Sequence, residues 1–150
     1  MGEAFVALAN DPSALYWNPS GISQIQRVQL LASQNFWFLD MSYQYVALVI
    51  PSSVGTIGIS GAYSSSGKIP KYEDFQRIGD YNAFDIAGTL GYCKNLGILS
   101  FGITGKYIQQ TIDDVVASGY AFDAGLLFKL SKIFKVGLVV QTIGTEIKFT

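Results

Sequence analysis

The sequence predicts an all-β fold: an antiparallel up-and-down transmembrane β-barrel preceded by a short N-terminal helical segment. Three observations predict it. From about residue 26 onward, apolar residues recur with period two, the spacing of a strand with two unlike faces. One of those faces is large and apolar, while the other is small, polar and rich in glycine. Charge is also too sparse to cover a water-facing surface. Charged residues are 14%, hydrophobic residues 49% and aromatics 14% of the 150 residues, whereas soluble domains carry about 25% charge. Mean hydropathy is +0.30.

Residues 1–25 form the first unit. Asn10-Asp11-Pro12-Ser13-Ala14-Leu15-Tyr16-Trp17 reads as a short helix. Asp11 suits the N-cap, where a carboxylate accepts backbone N–H groups, and Pro12 suits the first helical position, which needs no N–H. Asn18-Pro19 ends the helix, because the residue before proline avoids the α region. Gly21 then permits a tight turn.

Residues 26–150 form the second unit, with strands near 26–34, 41–50, 54–63, 83–93, 97–110, 117–130 and 134–143. In the fourth, Phe84, Ile86, Gly88, Leu90 and Tyr92 share one face, and Asp85, Ala87, Thr89, Gly91 and Cys93 the other. Leu99, Phe101, Ile103 and Tyr107 likewise oppose Ser100, Gly102, Thr104 and Lys106; Tyr120, Phe122, Leu126 and Phe128 oppose Ala121, Asp123, Gly125 and Leu127. Soluble sheets show long charged side chains on their wet face. Here small residues suit a crowded lumen and large apolar ones suit lipid. Short links at 51–53, 94–96 and 131–133 alternate with longer ones at 35–40, 64–82 and 111–116, the asymmetry of outer-membrane barrels. Phe84 and Tyr92 lie eight residues apart, as do Tyr120 and Phe128. Tilted strands would set each pair about 20 Å apart in height, near the separation of two aromatic girdles.

Few residues invite chemistry. Asp85, Lys106 and Asp123 fall on the small-residue face of three consecutive strands. They fit a lumen charge cluster that fixes register, or a polar constriction that selects solutes. Asp113-Asp114 lacks the alternating oxygen ligands of an EF-hand loop. Gly55-Thr56-Ile57-Gly58-Ile59-Ser60-Gly61 has neither phosphate-loop spacing, so its glycines read as relief of crowding in a curved sheet. Phe36-Trp37-Phe38-Leu39 is an apolar loop at a rim or a partner contact. The chain has one cysteine, Cys93, and no histidine, which excludes an internal disulfide and removes the usual general base. No catalytic, cofactor-binding or metal-ligating residue is therefore expected, and the chain is not read as an enzyme. The absence of a basic run argues against nucleic acid. No run of about 18 apolar residues predicts a transmembrane helix.

The opening stretch, Met1-Gly2-Glu3-Ala4-Phe5-Val6-Ala7-Leu8-Ala9-Asn10-Asp11-Pro12-Ser13-Ala14-Leu15-Tyr16-Trp17-Asn18-Pro19-Ser20-Gly21-Ile22, resembles the start of PorV/PorQ-family outer-membrane proteins, relatives of the FadL-type channels. Ser20 stands where the family usually has alanine. Ala121-Phe122-Asp123-Ala124-Gly125-Leu126-Leu127 and Val136 to Gly144 also resemble the family, with Thr142 where Asn is common. The resemblance implies about half of a FadL-like barrel of about 14 strands, with residues 1–25 as a hatch in or under the lumen. Asn10, Asp11, Asn18, Pro19 and Gly21 would shape that hatch. It implies a bacterial outer-membrane location, a signal peptide upstream of Met1, and further strands beyond Thr150. Expected partners are outer-membrane lipid, the barrel-assembly machinery, and either hydrophobic small molecules or secreted proteins. Two functions follow: FadL-like transport or binding of hydrophobic compounds, and export or surface attachment in type IX secretion. A soluble all-β binding domain is the third reading of the residues.

Overall fold

The computed structural model describes residues 5–73, 76–113, 115–131, 134–145 and 148–149. Seven strands pair antiparallel in chain order: β1 (Gln29–Phe36), β2 (Ser42–Pro51), β3 (Thr56–Glu73), β4 (Gln76–Leu96), β5 (Leu99–Ile112), β6 (Val115–Lys129) and β7 (Lys135–Gly144). A two-residue β8 (Lys148–Phe149) pairs with β6 at Ala117 and Ser118, on the edge that β7 also uses. The up-and-down antiparallel sheet is the one the alternation predicts. It is open, with β1 at one edge and β7 at the other.

Three tight links close one end. Between β2 and β3, the Ser52 N–H and hydroxyl both donate to the Gly55 carbonyl, at 2.9 and 2.7 Å. The β4–β5 turn falls at Gly97-Ile98 rather than at 94–96, because Lys94, Asn95 and Leu96 already pair with Phe101, Ser100 and Leu99. Gly97 takes φ +86°, a left-handed conformation that favours glycine, and its N–H donates to Asn95 Oδ1 at 3.0 Å. In the third link Leu130 N and Ser131 N both donate to the Phe134 carbonyl at 3.1 Å; Lys132 and Ile133 lie outside the described residues.

The other end departs from expectation. Residues 64–73 and 76–82 are strand rather than loop, and Asp74 and Phe75 lie outside the described residues. β3 and β4 run on beyond their neighbours and pair with each other from Lys68–Asn82 to Glu73–Gln76. The last β3 residue paired with β2 is Ser65 and the first β4 residue paired with β5 is Ala83, so residues 66–73 and 76–82 stand as a two-stranded ribbon. Such a ribbon buries neither face against a layer, so it has no apolar alternation to betray it. Pro70 is tolerated because β3 is an edge strand there. The link at 111–116 is likewise mostly strand: β5 reaches Ile112 and β6 begins at Val115. Asp114 lies outside the described residues, and Asp113 N donates to the Asn82 carbonyl at 3.1 Å.

The N-terminal segment forms α1 (Phe5–Leu8), α2 (Ala14–Trp17) and a 3-10 helix over Pro19–Gln24. The helix starts later than the sequence suggests, with Ser13 at the N-cap. Residues 11–13 instead make a turn in which Ala14 N donates to the Asp11 carbonyl at 3.0 Å. The Asp11 carboxylate caps that turn, accepting from Ser13 N and Oγ at 2.8 and 2.5 Å. Asn18 is extended and ends α2, and Pro19 then opens the 3-10 helix. Gly21 sits inside that helix rather than at a tight turn.

The core lies between this segment and the small-residue face of the sheet. Leu15, Ile22, Ala47, Val49 and Cys93 are buried there. The opposite, bulky face is bare: Leu90 and Phe122 are each 62% exposed, Leu138 57%, Ile103 46% and Phe101 42%. Phe84 and Phe128 are half-buried.

Candidate functional site

Five glycines on the small-residue face form a track for the N-terminal segment. They belong to five successive strands, and each exists where something passes too close for a Cβ. A Cβ at Gly58 or Gly91 would stand 2.7 or 2.5 Å from Leu15 Cδ2. At Gly102 it would meet the Pro19 carbonyl carbon at 2.3 Å, at Gly125 Asn18 Oδ1 at 2.0 Å, and at Gly137 the Val6 carbonyl oxygen at 2.8 Å. Real Cβ contacts do not fall below about 3 Å. At Gly102 and Gly137 the obstacle is backbone, so no side chain fits while the segment is docked; at Gly58, Gly91 and Gly125 the Leu15 or Asn18 side chain would have to move.

Asn18 is the knot of the dock. Its fully buried amide donates Nδ2 to the Val6 carbonyl at 2.9 Å and accepts at Oδ1 from Ser20 N (3.1 Å) and Ser20 Oγ (2.6 Å). Gly21 is chosen by packing, since its Cβ would stand 2.5 Å from the Ala9 carbonyl oxygen. Pro19 is buried against Gly102. Among the expected hatch residues, then, Asn18, Pro19 and Gly21 lie in the interface, Asp11 caps the turn before α2, and Asn10 is exposed. Met1 to Ala4 lie outside the described residues.

Several docking residues had no signal in the sequence. Leu15 plugs the gap over Gly58 and Gly91. Gln141 Nε2 donates to the Tyr16 carbonyl at 2.7 Å. Cys93 Sγ lies 3.5 Å from the Ser20 carbonyl oxygen. Gln24 donates to the Ala9 carbonyl at 2.8 Å and accepts from Lys135. The face itself was readable from alternation; what crosses it was not.

Above the docked segment a cleft of about 830 Å³ remains, lined by Tyr16, Trp17, Tyr43, Tyr45, Ser64, Asp85, Lys106 and Thr142 among others. The structure brings together two of the three expected charges. Lys106 Nζ is 2.5 Å from Asp123 Oδ2, with side-chain exposures of 12% and 0%. Asp123 is fully partnered, accepting also from Thr104 Oγ1 at 3.0 Å and from Thr142 N at 2.8 Å. Thr142 holds φ +60°, at a register break between β6 and β7 that turns its N–H to the carboxylate. Lys106 Nζ also lies 5.4 Å from the centroid of the Tyr16 ring, a cation–π contact with the segment. Asp85 does not join them. Lys106 is registered with Thr89, four residues from Asp85 along β4, or about 13 Å.

The arrangement can therefore hold a segment and enclose an apolar space with a neutralised charge pair at its wall. Among the described residues, no three His, Cys, Asp or Glu side chains come together as a metal site would need. Comparison of the chain with protein-family models, with curated proteins and with solved structures gives no match.

Proposed function

We propose that this chain forms part of a bacterial outer-membrane β-barrel of the PorV/PorQ type, whose N-terminal segment is a hatch and whose cleft binds or passes hydrophobic small molecules. One observation carries the reading: a single sheet buries the glycines and small polar residues of one face and leaves the bulky apolar residues of the other bare. Water favours the reverse. Hydrocarbon accepts it, provided that both free edges, β1 and β7, find partners and the sheet closes. The apolar cleft over the hatch supplies the binding space. The ribbon of residues 66–73 and 76–82 favours a second reading, export or surface attachment as in type IX secretion, because a strand ladder that runs on beyond its neighbours is one that a protein partner can extend.

Spin labels test the first reading. In a Cys93→Ala background, labels replace Leu90 on the bulky face and Ser64 in the cleft, in phosphatidylcholine vesicles that hold the chain within the closed barrel the reading requires, its β1 and β7 edges partnered. Relaxation by dissolved oxygen should dominate at Leu90, and relaxation by a water-soluble nickel chelate at Ser64. Adding an apolar ligand such as dodecanol should cut the chelate's access to Ser64. Chelate access at Leu90 equal to that at Ser64 sinks the membrane reading, and an indifferent Ser64 label sinks the ligand.

A further inference from the structure

At the end of the sheet closed by the tight links, Lys129 of β6 and Lys135 of β7 stand directly opposite each other in the ladder. Both are on the small-residue face and both are partly buried. Like charges set directly opposite destabilise a sheet. Each ammonium reaches one neutral acceptor on the docked segment: Lys129 Nζ lies 3.3 Å from Ser23 Oγ, and Lys135 Nζ donates to Gln24 Oε1. An ammonium has three donors, so each keeps two to give. Ser23 has already given its own proton to the Ser20 carbonyl at 2.7 Å. Among the described residues no carboxylate lies within ion-pair distance of either lysine. Asp123, the acid of the same strand, is six residues from Lys129, about 20 Å along β6.

We infer that Lys129 and Lys135 form a binding site for a phosphate group, held between the β6–β7 ladder and the 3-10 helix. Facing residues of a ladder have Cβ atoms about 5 Å apart, so one tetrahedral oxyanion can take a hydrogen bond from each ammonium and cancel their repulsion. A group with two negative charges matches the pair. It comes either from free phosphate or from the headgroup of an amphiphile. The site stands on the ladder and the docked segment alone, so it survives or fails independently of the membrane reading.

The test uses the full chain in dodecyl maltoside, titrated by calorimetry with inorganic phosphate and with decyl phosphate against a chloride control of equal ionic strength. At least one phosphate should bind, and Lys129→Gln with Lys135→Gln should weaken it at least tenfold. Equal binding of both probes assigns the site to free phosphate; binding of decyl phosphate alone assigns it to a headgroup. A thermal scan of the unaltered chain keeps the test independent of whether the double variant folds: the binding phosphate should raise Tm more than chloride does. No binding by either probe, a chloride shift as large as the phosphate shift, or undiminished binding by a folded double variant overturns the site.

Discussion

Glycines on the two faces of this sheet play different parts. On the bulky face, a Cβ at Gly88 would meet nothing within 4 Å, and at Gly61 and Gly105 it would meet only ordinary contacts at 3.8 and 3.6 Å. On the small-residue face, Gly58, Gly91, Gly102, Gly125 and Gly137 all lie under the N-terminal segment at distances no Cβ could occupy. The same residue type, alternating along the same strands, marks open space on one side and a docking track on the other. Composition alone could not separate them; only the crossing of a distant segment does.

The largest effect expected from breaking this contrast comes from Gly102→Val set against Gly88→Val. At Gly102 the nearest atoms are the backbone of Pro19 and Ser20, which cannot rotate away, so the segment must lift. Overpacking of this kind should cost more than about 3 kcal/mol, read as a lower denaturation midpoint and a red shift of Trp17 emission. Gly88→Val should stay within about 0.5 kcal/mol. Equal effects at both sites would show that the segment does not rest on the track. Leu15→Ala comes next. Leu15 is 0% exposed and is the side chain that seals Gly58 and Gly91. Its truncation leaves a cavity worth about 2–3 kcal/mol in the same denaturation measurement, and Gly91→Ala made in the Leu15→Ala background should recover part of the loss.

Much of this was legible, and the failures have physical causes. Alternation from Ile57 to Phe128 identified the strands and sorted the faces, because side-chain direction follows residue parity. It could not reveal the ribbon of residues 66–73 and 76–82, where no packing selects an apolar side. Nor could it reveal the Leu15 contacts, made with residues 43 and 76 positions away. The charge cluster keeps Lys106 and Asp123 but not Asp85, for a narrower reason. Parity gives the face but not the height along the strand, which the turn sets. Counting from a turn centred on Asn95 would place Lys106 opposite Phe84, next to Asp85. The turn at Gly97-Ile98 places it opposite Thr89 instead, and within reach of Asp123.

That difference in height yields the smallest of the expected effects. Asp123 and Asp85 share a face, yet one carboxylate is fully buried with three partners and the other is exposed in the cleft. Asp123→Asn keeps the shape but removes the charge opposite Lys106 and two of the acceptor sites that only an oxygen supplies. Loss of a charge-assisted bond at a buried site costs about 2 kcal/mol. The cost stays below that of a wholly buried pair because Lys106 can turn toward the cleft. Lys106→Met in the Asp123→Asn background should then recover stability, since it removes the orphaned ammonium. Asp85→Asn should leave the denaturation midpoint where it was. If instead the Asp85 variant shifted the midpoint as far as the Asp123 variant, the two carboxylates would belong to one network, and the height separation drawn from the β4–β5 register would be wrong.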